Sequence, residues 1–274
     1  MHYELKGALR PMAAASLLAA IVACGGGGSS STNPNPVPTA TPVPTPPQVS
    51  RAGLVVLMHM DEPAWNGAEN QVLDASGSGH HGTATGGATT TASGKFGRGG
   101  SFNGGMSCVD LGDVPSLRPG SQLTVAAWVM PTGLGRQTPL GIVAKRVDFG
   151  FRSAYAFFVD VDDRLTVDVD GENDRFKAGP ALTNGRLIHV AMVYDGSLPS
   201  ASRVTVYIDG AAAGTGGESS DSIPDLDSPL NVGCLPLTLP AQGFVGTMDE
   251  VAIWHRALSA AEISSLARAT AAIG

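Results

Sequence analysis

From Leu54 onward the chain is a series of short runs in which side chains of two kinds alternate with a period of two. The runs are rich in Val, Ile, Phe and Tyr, and Gly, Asp, Asn and Pro separate them. A period of two places successive side chains on opposite faces of a strand, and frequent turn residues favour antiparallel neighbours. The pattern therefore predicts an all-β sandwich or barrel.

Two of the breaks between these runs have the character of hairpin turns. One lies at Asp162–Asp163, and the other lies at Asp209–Gly210, where the residue pair is a strong signal for a type I′ turn. The predicted strands are LVVLMHM, SCVDLG, LTVAAWVM, GIVAKR, YAFFVDV, RLTVDVDG, IHVAMVYD, RVTVYIDG, LNVG and GFVGTMDEVAIW.

The last of these strands is followed by the start of a helix. Ser259 and Glu262 have the spacing of a capping box, in which each side chain satisfies a backbone N–H of the other residue. Leu258 and Ile263 flank the box and can pack together as a hydrophobic staple. We expect a short helix that begins at Ser259 and covers one end of a sheet.

The first residues have the form of an export signal. Lys6 and Arg10 precede an apolar run, Met12 to Ala23, that is too short to span a bilayer. The small residues before Cys24 resemble a bacterial lipobox, in which the signal is removed and the cysteine carries a lipid. The alternative is an ordinary signal peptide followed by a chance cysteine.

The segment after Cys24 is rich in Gly, Ser, Pro and Thr and contains almost nothing that could enter a core. Such a composition predicts a disordered tether. The chain is thus divided into a lipoprotein signal peptide (1–23), a tether (24–50) and one folded domain (51–274). Glycine after Cys24 resembles an outer-membrane sorting signal, so we expect an exported lipoprotein at the outer membrane or cell surface.

The formal charge is −7, and it becomes −8 without the signal because Glu4, Lys6 and Arg10 together contribute +1 (−7 minus +1). This acidic balance argues against nucleic acid as a partner. With Cys24 lipidated, Cys108 and Cys234 remain as a pair in an oxidising compartment. They form either a disulfide or two buried free thiols, and the sequence leaves both open.

Several fragments occur in an order that resembles concanavalin A-like, laminin-G-type domains. They are DASGSGHHG, GKFGRGGSFNGG, LTVAAWVMP, IVAKR, HVAMVYDG, VTVYIDG and GTMDEVAIWHRALSAAEI, and together they cover nearly everything after the tether. One departure is RLIHVA, where the family usually has a tryptophan before the histidine. The resemblance implies a jelly-roll sandwich of two curved antiparallel sheets with a short C-terminal helix, often with one calcium ion.

The resemblance also implies where that calcium would bind. Alternation places Asp249 on an aliphatic face of the last strand, with Glu250 on the opposite face, and a buried carboxylate requires a partner. In the family, an acidic residue after the first strand lies close to the aspartate of the last strand. The corresponding residues are Asp61 and Asp249, with a backbone carbonyl of Asn103 or Gly104 completing a structural Ca²⁺ site. The alternative is that hydrogen bonds or an arginine satisfy Asp249.

Candidate ligand-binding residues occur in one loop and one hairpin. Trp65, in EPAWNG, is the best candidate for an exposed aromatic platform, whereas Trp128 and Trp254 lie in strand runs and are expected in the core. Asp160, Asp168 and Asp170 share one face of a hairpin and could bind sugar hydroxyls. The alternative is a solvated acidic face.

The sequence contains none of the G-x-S-x-G, H-E-x-x-H or C-x-x-C motifs. The stretch TVDVDGEN places two aspartates on one face but lacks the glutamate of an E-x-D-x-E glycanase strand, so catalysis is not expected. We expect a non-catalytic, lipid-anchored module that binds a carbohydrate or a protein surface. The alternatives are a structural or adhesion module without glycan binding and, less favoured, a glycan hydrolase or lyase.

Overall fold

The computed structural model describes residues 49–147, 153–171, 175–236 and 242–274. The predicted signal peptide (1–23), the predicted lipidation site Cys24 and nearly all of the tether lie outside these residues. Within the described ranges, no helix has both the length and the apolar character needed to cross a bilayer.

The predicted alternating runs form antiparallel strands, and further short strands occur between them. The strands are β1 (Leu54–Met58), β2 (Thr83–Thr85), β3 (Thr89–Thr91), β4 (Gly99–Asn103), β5 (Cys108–Asp110), β6 (Gln122–Pro131), β7 (Leu140–Arg146), β8 (Ser153–Val159), β9 (Leu165–Val169), β10 (Phe176–Ala178), β11 (Ile188–Asp195), β12 (Val204–Ile208), β13 (Ala211–Gly216), β14 (Leu230–Val232), β15 (Cys234–Leu235), β16 (Gln242–Gly243) and β17 (Val245–Trp254). The helix α1 spans Ala260–Arg268, and short 3₁₀ turns occur at Pro115–Leu117 and Ser200–Ser202.

Two large antiparallel sheets face each other. One has the strand order β13-β12-β11-β6-β17-β4-β3, with β1 also paired to β17, and the other has the order β10-β9-β8-β7-β14-β5-β2. Each pair of neighbouring strands in both sheets is antiparallel. The predicted jelly-roll sandwich with a short C-terminal helix is therefore confirmed.

The main core lies between the two sheets. It takes the inward residues of each strand, such as Val125, Ala127 and Val129 of β6 and Phe157 and Val159 of β8. Their spacing of two residues is what a strand with one face on a core requires. Burial of these side chains is the principal force that holds the sheets together.

A second apolar cluster lies on the outer face of the eight-stranded sheet. Trp254 and Ala252 of β17 contact it from the sheet, and Ile263 and Leu266 contact it from α1. The side chain of Ser259 accepts a hydrogen bond from Glu262 N at 3.3 Å, and a carboxylate oxygen of Glu262 accepts one from Ser259 N at 2.9 Å. The predicted capping box is confirmed, and α1 covers the sheet as expected.

Both predicted hairpin turns are present. Asp209 and Gly210 have φ angles of 49° and 80°, which are the positive values that a type I′ turn needs. Asp163 has a φ of 62° in the turn that joins β8 to β9. These turns place each strand antiparallel to the next along the chain.

Cys108 and Cys234 form a disulfide, which decides between the two alternatives left open by the sequence. The bond joins β5 to the hairpin β15–β16, and β15 packs on the outer face of β7. A Cβ atom on Gly141 of β7 would collide with the backbone of Cys234, so this close approach requires glycine. Leu235 then packs with Ala144, Ala156 and Phe158 on that outer face.

Candidate functional site

Asp249 lies in a β-bulge where β17 exchanges one neighbour for another. The first half of β17 pairs with β4 and the second half pairs with β1, while the register with β6 shifts between Asp249 and Ala252. Glu250 has a φ of 50°. Met248, Val251 and Ile253 face the inter-sheet core, whereas Ala252 and Trp254 face the outer cluster.

The strict alternation that we predicted for this strand is therefore wrong at the bulge. Because the bulge adds a residue, both Val251 and Ile253 return to the core side, and Asp249, paired across the sheet with Trp128, lies on the other side. Glu250 was predicted on the face opposite Asp249, but the bulge places it on the outer side of the sheet as well. It borders a small cavity with Trp128 and Trp254 on the outer side of the sheet.

Backbone N–H groups surround the carboxylate of Asp249. Its Oδ2 accepts hydrogen bonds from Lys95 N at 2.6 Å and Phe96 N at 2.9 Å, and its Oδ1 accepts one from Glu250 N at 2.8 Å. Asp249 is fully buried. The hydrogen-bond network given above as the alternative to calcium is thus present.

Burial raises the pKa of Asp249 to about 7, and the neighbouring carboxylate of Glu250 pushes the pKa in the same direction. The N–H donors of Phe96, Glu250 and Lys95 oppose this rise. Glu250 in turn accepts from His59 Nδ1 at 2.7 Å when that nitrogen carries the proton, and this contact raises the pKa of His59. The bulge therefore brings together an aspartate and a histidine whose pKa values are both raised.

Asp61 contacts the same loop as Asp249. Its Oδ1 accepts a hydrogen bond from Arg98 N at 2.7 Å, and a Cβ atom on Gly97 would lie 2.5 Å from that oxygen. A Cβ atom on Gly94 would lie 2.7 Å from Oδ2 of Asp249. The two aspartates therefore hold the loop 94–98 from two sides, Asp61 from the segment after β1 and Asp249 from β17.

Asn103 and Gly104 lie at the far end of β4 from this loop. Asn103 is paired with Val245, and Gly104 N donates to Phe244 O at 2.8 Å. Val245 precedes Asp249 by four residues, about 13 Å along a strand. The structure therefore brings Asp61 and Asp249 to one loop, but it does not bring Asn103 and Gly104 to them. Among the described residues, no three or more His, Cys, Asp or Glu side chains form a group that could hold a metal ion.

The acidic residues of the β8–β9 hairpin are engaged by cations. Oδ2 of Asp160 lies 2.7 Å from the Lys177 ammonium. Oδ2 of Asp168 lies 3.2 Å from Arg175 Nε and 3.6 Å from Nη1 of the Arg146 guanidinium. Asp168 is only 2% exposed, so this part of the face is a buried ionic cluster and not the open acidic surface suggested by the sequence.

Asp170 directly follows β9 and has a φ of 59°, and its N–H donates to Ala154 O at 3.0 Å. Its side chain is half-buried, and its backbone forms the turn at the open end of the hairpin. On the opposite face of the hairpin, the side chains of Phe157, Val159, Leu165 and Val167 lie in the inter-sheet core.

Trp65 is 5% exposed, so the prediction of an exposed platform is wrong. Its ring packs edge-on against Phe102 with centroids 6.4 Å apart, and a Cβ atom on Gly100 would lie 2.7 Å from the ring. Its Nε1–H donates to Glu62 at 3.0 Å. Glycine at position 100 leaves the space into which the loop tryptophan turns.

Trp65 nevertheless borders an open groove with a volume of about 510 Å³. The groove lies at the side of the sandwich where β2 and β3, the edge strands of the two sheets, are joined by a short turn. The loop 65–67 forms one wall, and residues 84–89 form the other. The volume is within the range of small-molecule sites.

The groove has an apolar floor and a polar rim. Trp65, Ala84 and Ala88 belong to the inter-sheet core and form the floor, as they are buried residues that border the groove. The exposed rim consists of Asn66, Gly67, Thr85, Gly86, Gly87 and Thr89. No charged side chain lines the groove among the described residues.

The turn between β2 and β3 is held in one conformation by its neighbours. Gly86 and Gly87 have φ angles of 59° and 86°. A Cβ atom on Gly86 would collide with the carbonyl of Met106, and one on Gly87 would lie 2.8 Å from Nδ2 of Asn103. The groove wall is therefore preformed, and its Thr- and Gly-rich sequence lacks the apolar alternation by which the other strands were predicted.

A family model of the concanavalin A-like lectin/glucanases superfamily, Laminin_G_3, matches residues 102–264. A search of curated protein sequences gave no significant match. Among solved structures, domain 4 of an extracellular arabinanase from Geobacillus stearothermophilus, in complex with arabinotriose, matches with a TM-score of 0.58 and 22% identity, covering 79% of this chain and 99% of that one.

Two further structures show the same fold. The binding domain of Paraclostridial Mosquitocidal Protein 1 matches with a TM-score of 0.56 and 16% identity, covering 78% of this chain and 52% of that one. The CBM40 domain of the Ruminococcus gnavus IT-sialidase, bound to α2,3 sialyllactose, matches with a TM-score of 0.52 and 12% identity, covering 62% of this chain and 96% of that one. At these identities the likeness establishes the fold.

Proposed function

The chain belongs to the concanavalin A-like lectin/glucanases superfamily, and from this premise we propose that it is a non-catalytic carbohydrate-binding module, exported and anchored by a lipid on Cys24. The observation that carries the proposal is the preformed groove at the sandwich edge, lined by hydroxyl, amide and backbone groups. Such groups hydrogen-bond the hydroxyls of a sugar, and an apolar floor accepts its C–H groups. The arabinotriose and sialyllactose complexes of the two glycan-bound structures support this class of ligand.

The contacts of the acidic residues support binding without catalysis. A glycan hydrolase needs one carboxylic acid and one carboxylate placed on either side of the scissile bond. In this chain Asp168 lies between Arg146 and Arg175, and Asp160 contacts Lys177. Both carboxylates are therefore engaged in ion pairs within the protein.

The described part of the chain enters the folded domain away from the groove. Ser50 contacts Arg256 just beyond Trp254, so the chain enters the domain at the end of β17. Thr89 of the groove pairs with Ser101 of β4, and Ser101 pairs with Thr247 of β17. Thr247 precedes Trp254 by seven residues, about 20 Å along the strand. A lipid-anchored chain would therefore carry its binding site away from its attachment point.

A structural Ca²⁺ ion remains part of the proposal, with Asp61 and Asp249 as its side-chain ligands. A bound cation would favour the ionised form of Asp249 and so oppose the effect of burial on its pKa. The fit is partial, because three N–H donors already bond the carboxylate of Asp249, and the remaining oxygens would have to come from the loop 94–98. Melting the protein with Ca²⁺ and with a chelator tests this, since an unchanged midpoint and no bound calcium would remove the ion from the proposal.

A glycan array tests the function as a whole. The full chain, extracted in detergent, should bind a defined set of glycans, and incubation with the same glycans should release no reducing ends. Binding to cell-surface proteins but to no glycan would favour the adhesion alternative. Release of reducing ends would show an enzyme.

Lipidation is tested independently of glycan binding. Cells that express the chain should incorporate a labelled fatty acid into it, and the Cys24→Ser variant should lose this label. A Cys24→Ser variant that keeps the label would contradict the proposed anchor.

A further inference from the structure

The two layers of the groove match the two kinds of surface on a sugar ring. Trp65, Ala84 and Ala88 form the apolar floor, while the hydroxyl-bearing side chains of Thr85 and Thr89 line the rim. The Thr85 hydroxyl also makes a long hydrogen bond of 3.5 Å to Cys108 O. A pyranose or furanose has C–H groups on its ring faces and hydroxyls around its edge. One sugar unit placed on this floor would have its hydroxyls directed toward the rim.

Two charged side chains that contact the Trp65 loop, Glu62 and Arg98, are engaged within the protein. Glu62 accepts hydrogen bonds from the indole of Trp65 and from Leu73 N. The guanidinium of Arg98 donates to the carbonyl groups of Glu62 and Pro63 and to the Thr90 hydroxyl. Neither residue lines the groove, so an incoming carboxylate would find no cation there.

A carboxylated ligand would also approach an acidic protein. The formal net charge of the chain is −7, which disfavours an anion at long range. A buried or half-buried carboxylate without a cationic partner loses its hydration without compensation. These charges would therefore disfavour a carboxylated ligand.

We propose that this groove binds one uncharged sugar unit of a neutral glycan and discriminates against glycans that carry carboxylates. The inference rests on the proposed carbohydrate-binding function and assigns its site and ligand class. The turn Gly86–Gly87 packs closely against Met106 and Asn103, so we expect this wall of the groove to change little on binding.

The test uses the full chain in detergent and two matched pairs. The ligand pair is a neutral oligosaccharide that binds on the array and the same oligosaccharide oxidised at its primary hydroxyls to carboxylates. The variant pair is Thr85→Ala with Thr89→Ala, which removes the rim hydroxyls, and Thr205→Ala with Thr215→Ala. Thr205 and Thr215 are cross-strand neighbours at the opposite edge of the same sheet, which makes the second variant a matched control.

The neutral ligand should bind at least tenfold more tightly than its oxidised form, and its affinity should change little with salt. The rim variant should weaken neutral binding at least tenfold, and the control variant should bind as the wild type does. Thr89→Arg adds a cation to the exposed rim and should narrow or reverse the preference for the neutral ligand. A purely structural effect of the substitution would lower both affinities together.

The outcomes separate the inference from the function on which it rests. Glycan binding that is unaffected by the rim variant overturns the site and leaves the carbohydrate-binding function standing. Equal affinity for neutral and oxidised ligands overturns the ligand class. Absence of any glycan binding overturns both.

Discussion

Loss of the Cys108–Cys234 bond should destabilise the domain mainly through the unfolded chain. The two cysteines are 126 residues apart, so the bond closes a very long loop in the denatured state. In the folded state the hairpin β15–β16 is also held by hydrogen bonds from Gly233 N to Ile142 O and from Phe244 N to Gly233 O. The sandwich should therefore persist after reduction, with a less restricted unfolded ensemble.

The magnitude follows from the loop length. Chain-entropy reasoning for a loop of this size gives about 5 kcal/mol, and loss of native disulfides typically costs about 2–5 kcal/mol. We expect reduction to lower the free energy of unfolding by an amount in that range. The slope of the free energy against denaturant should rise, because a reduced chain exposes more surface when it unfolds.

Urea unfolding of the Cys24→Ser chain, folded under oxidising conditions, measures both quantities. Oxidised protein, reduced protein and the variant Cys108→Ala with Cys234→Ala are compared. Both cysteines are buried, so agreement between reduced protein and the alanine variant separates the bond from side-chain packing. A change below about 0.5 kcal/mol, with an unaltered slope, would refute the reasoning.

In the presence of a chelator, wild-type stability should fall as pH rises from 4 to 7, because the folded state keeps a proton on Asp249 that the unfolded state releases. In pH-dependent melts the Asp249→Asn variant should show a flatter profile, and a profile parallel to the wild type would count against a raised pKa of Asp249. Gly86→Ala should lower the melting temperature more than Gly112→Ala, since both glycines have positive φ but only the first has a neighbour that a Cβ would strike; equal shifts would contradict this. Ser259→Ala should cost about 1 kcal/mol in chemical unfolding through loss of the cap of α1, and an unchanged midpoint would argue against the capping box.

The fold could be predicted because most strands carry an inward apolar face. IHVAMVYD, for example, became β11 over Ile188–Asp195, with its alternate residues in the inter-sheet core. The edge strands β3 and β13 were missed because they consist of Thr, Ala and Gly, which give no apolar alternation. At the edge of a sheet, the pairing of a neighbour specifies the strand more than its own side chains do.

The site was less predictable because it depends on contacts between distant segments. Trp65 lies in a loop, where side-chain alternation does not predict burial. Its ring turns inward because Gly100, which is distant in sequence, leaves space for it. The groove requires residues 65–67 to meet residues 84–89, which no local pattern encodes. The bulge at Asp249 likewise arises where β17 changes partner from β4 to β1, a property of the sheet and not of the strand.

The central claim, that a neutral glycan binds in the groove, is tested most directly by the indole N–H signals of the three tryptophans. Trp65 lies at the groove floor, whereas Trp128 and Trp254 border a cavity on the outer side of the eight-stranded sheet. When a neutral oligosaccharide is titrated into ¹⁵N-labelled protein, the Trp65 signal should shift and the other two should stay in place. Saturating ligand that shifts the Trp128 or Trp254 signal, or leaves that of Trp65 unmoved, would contradict the account.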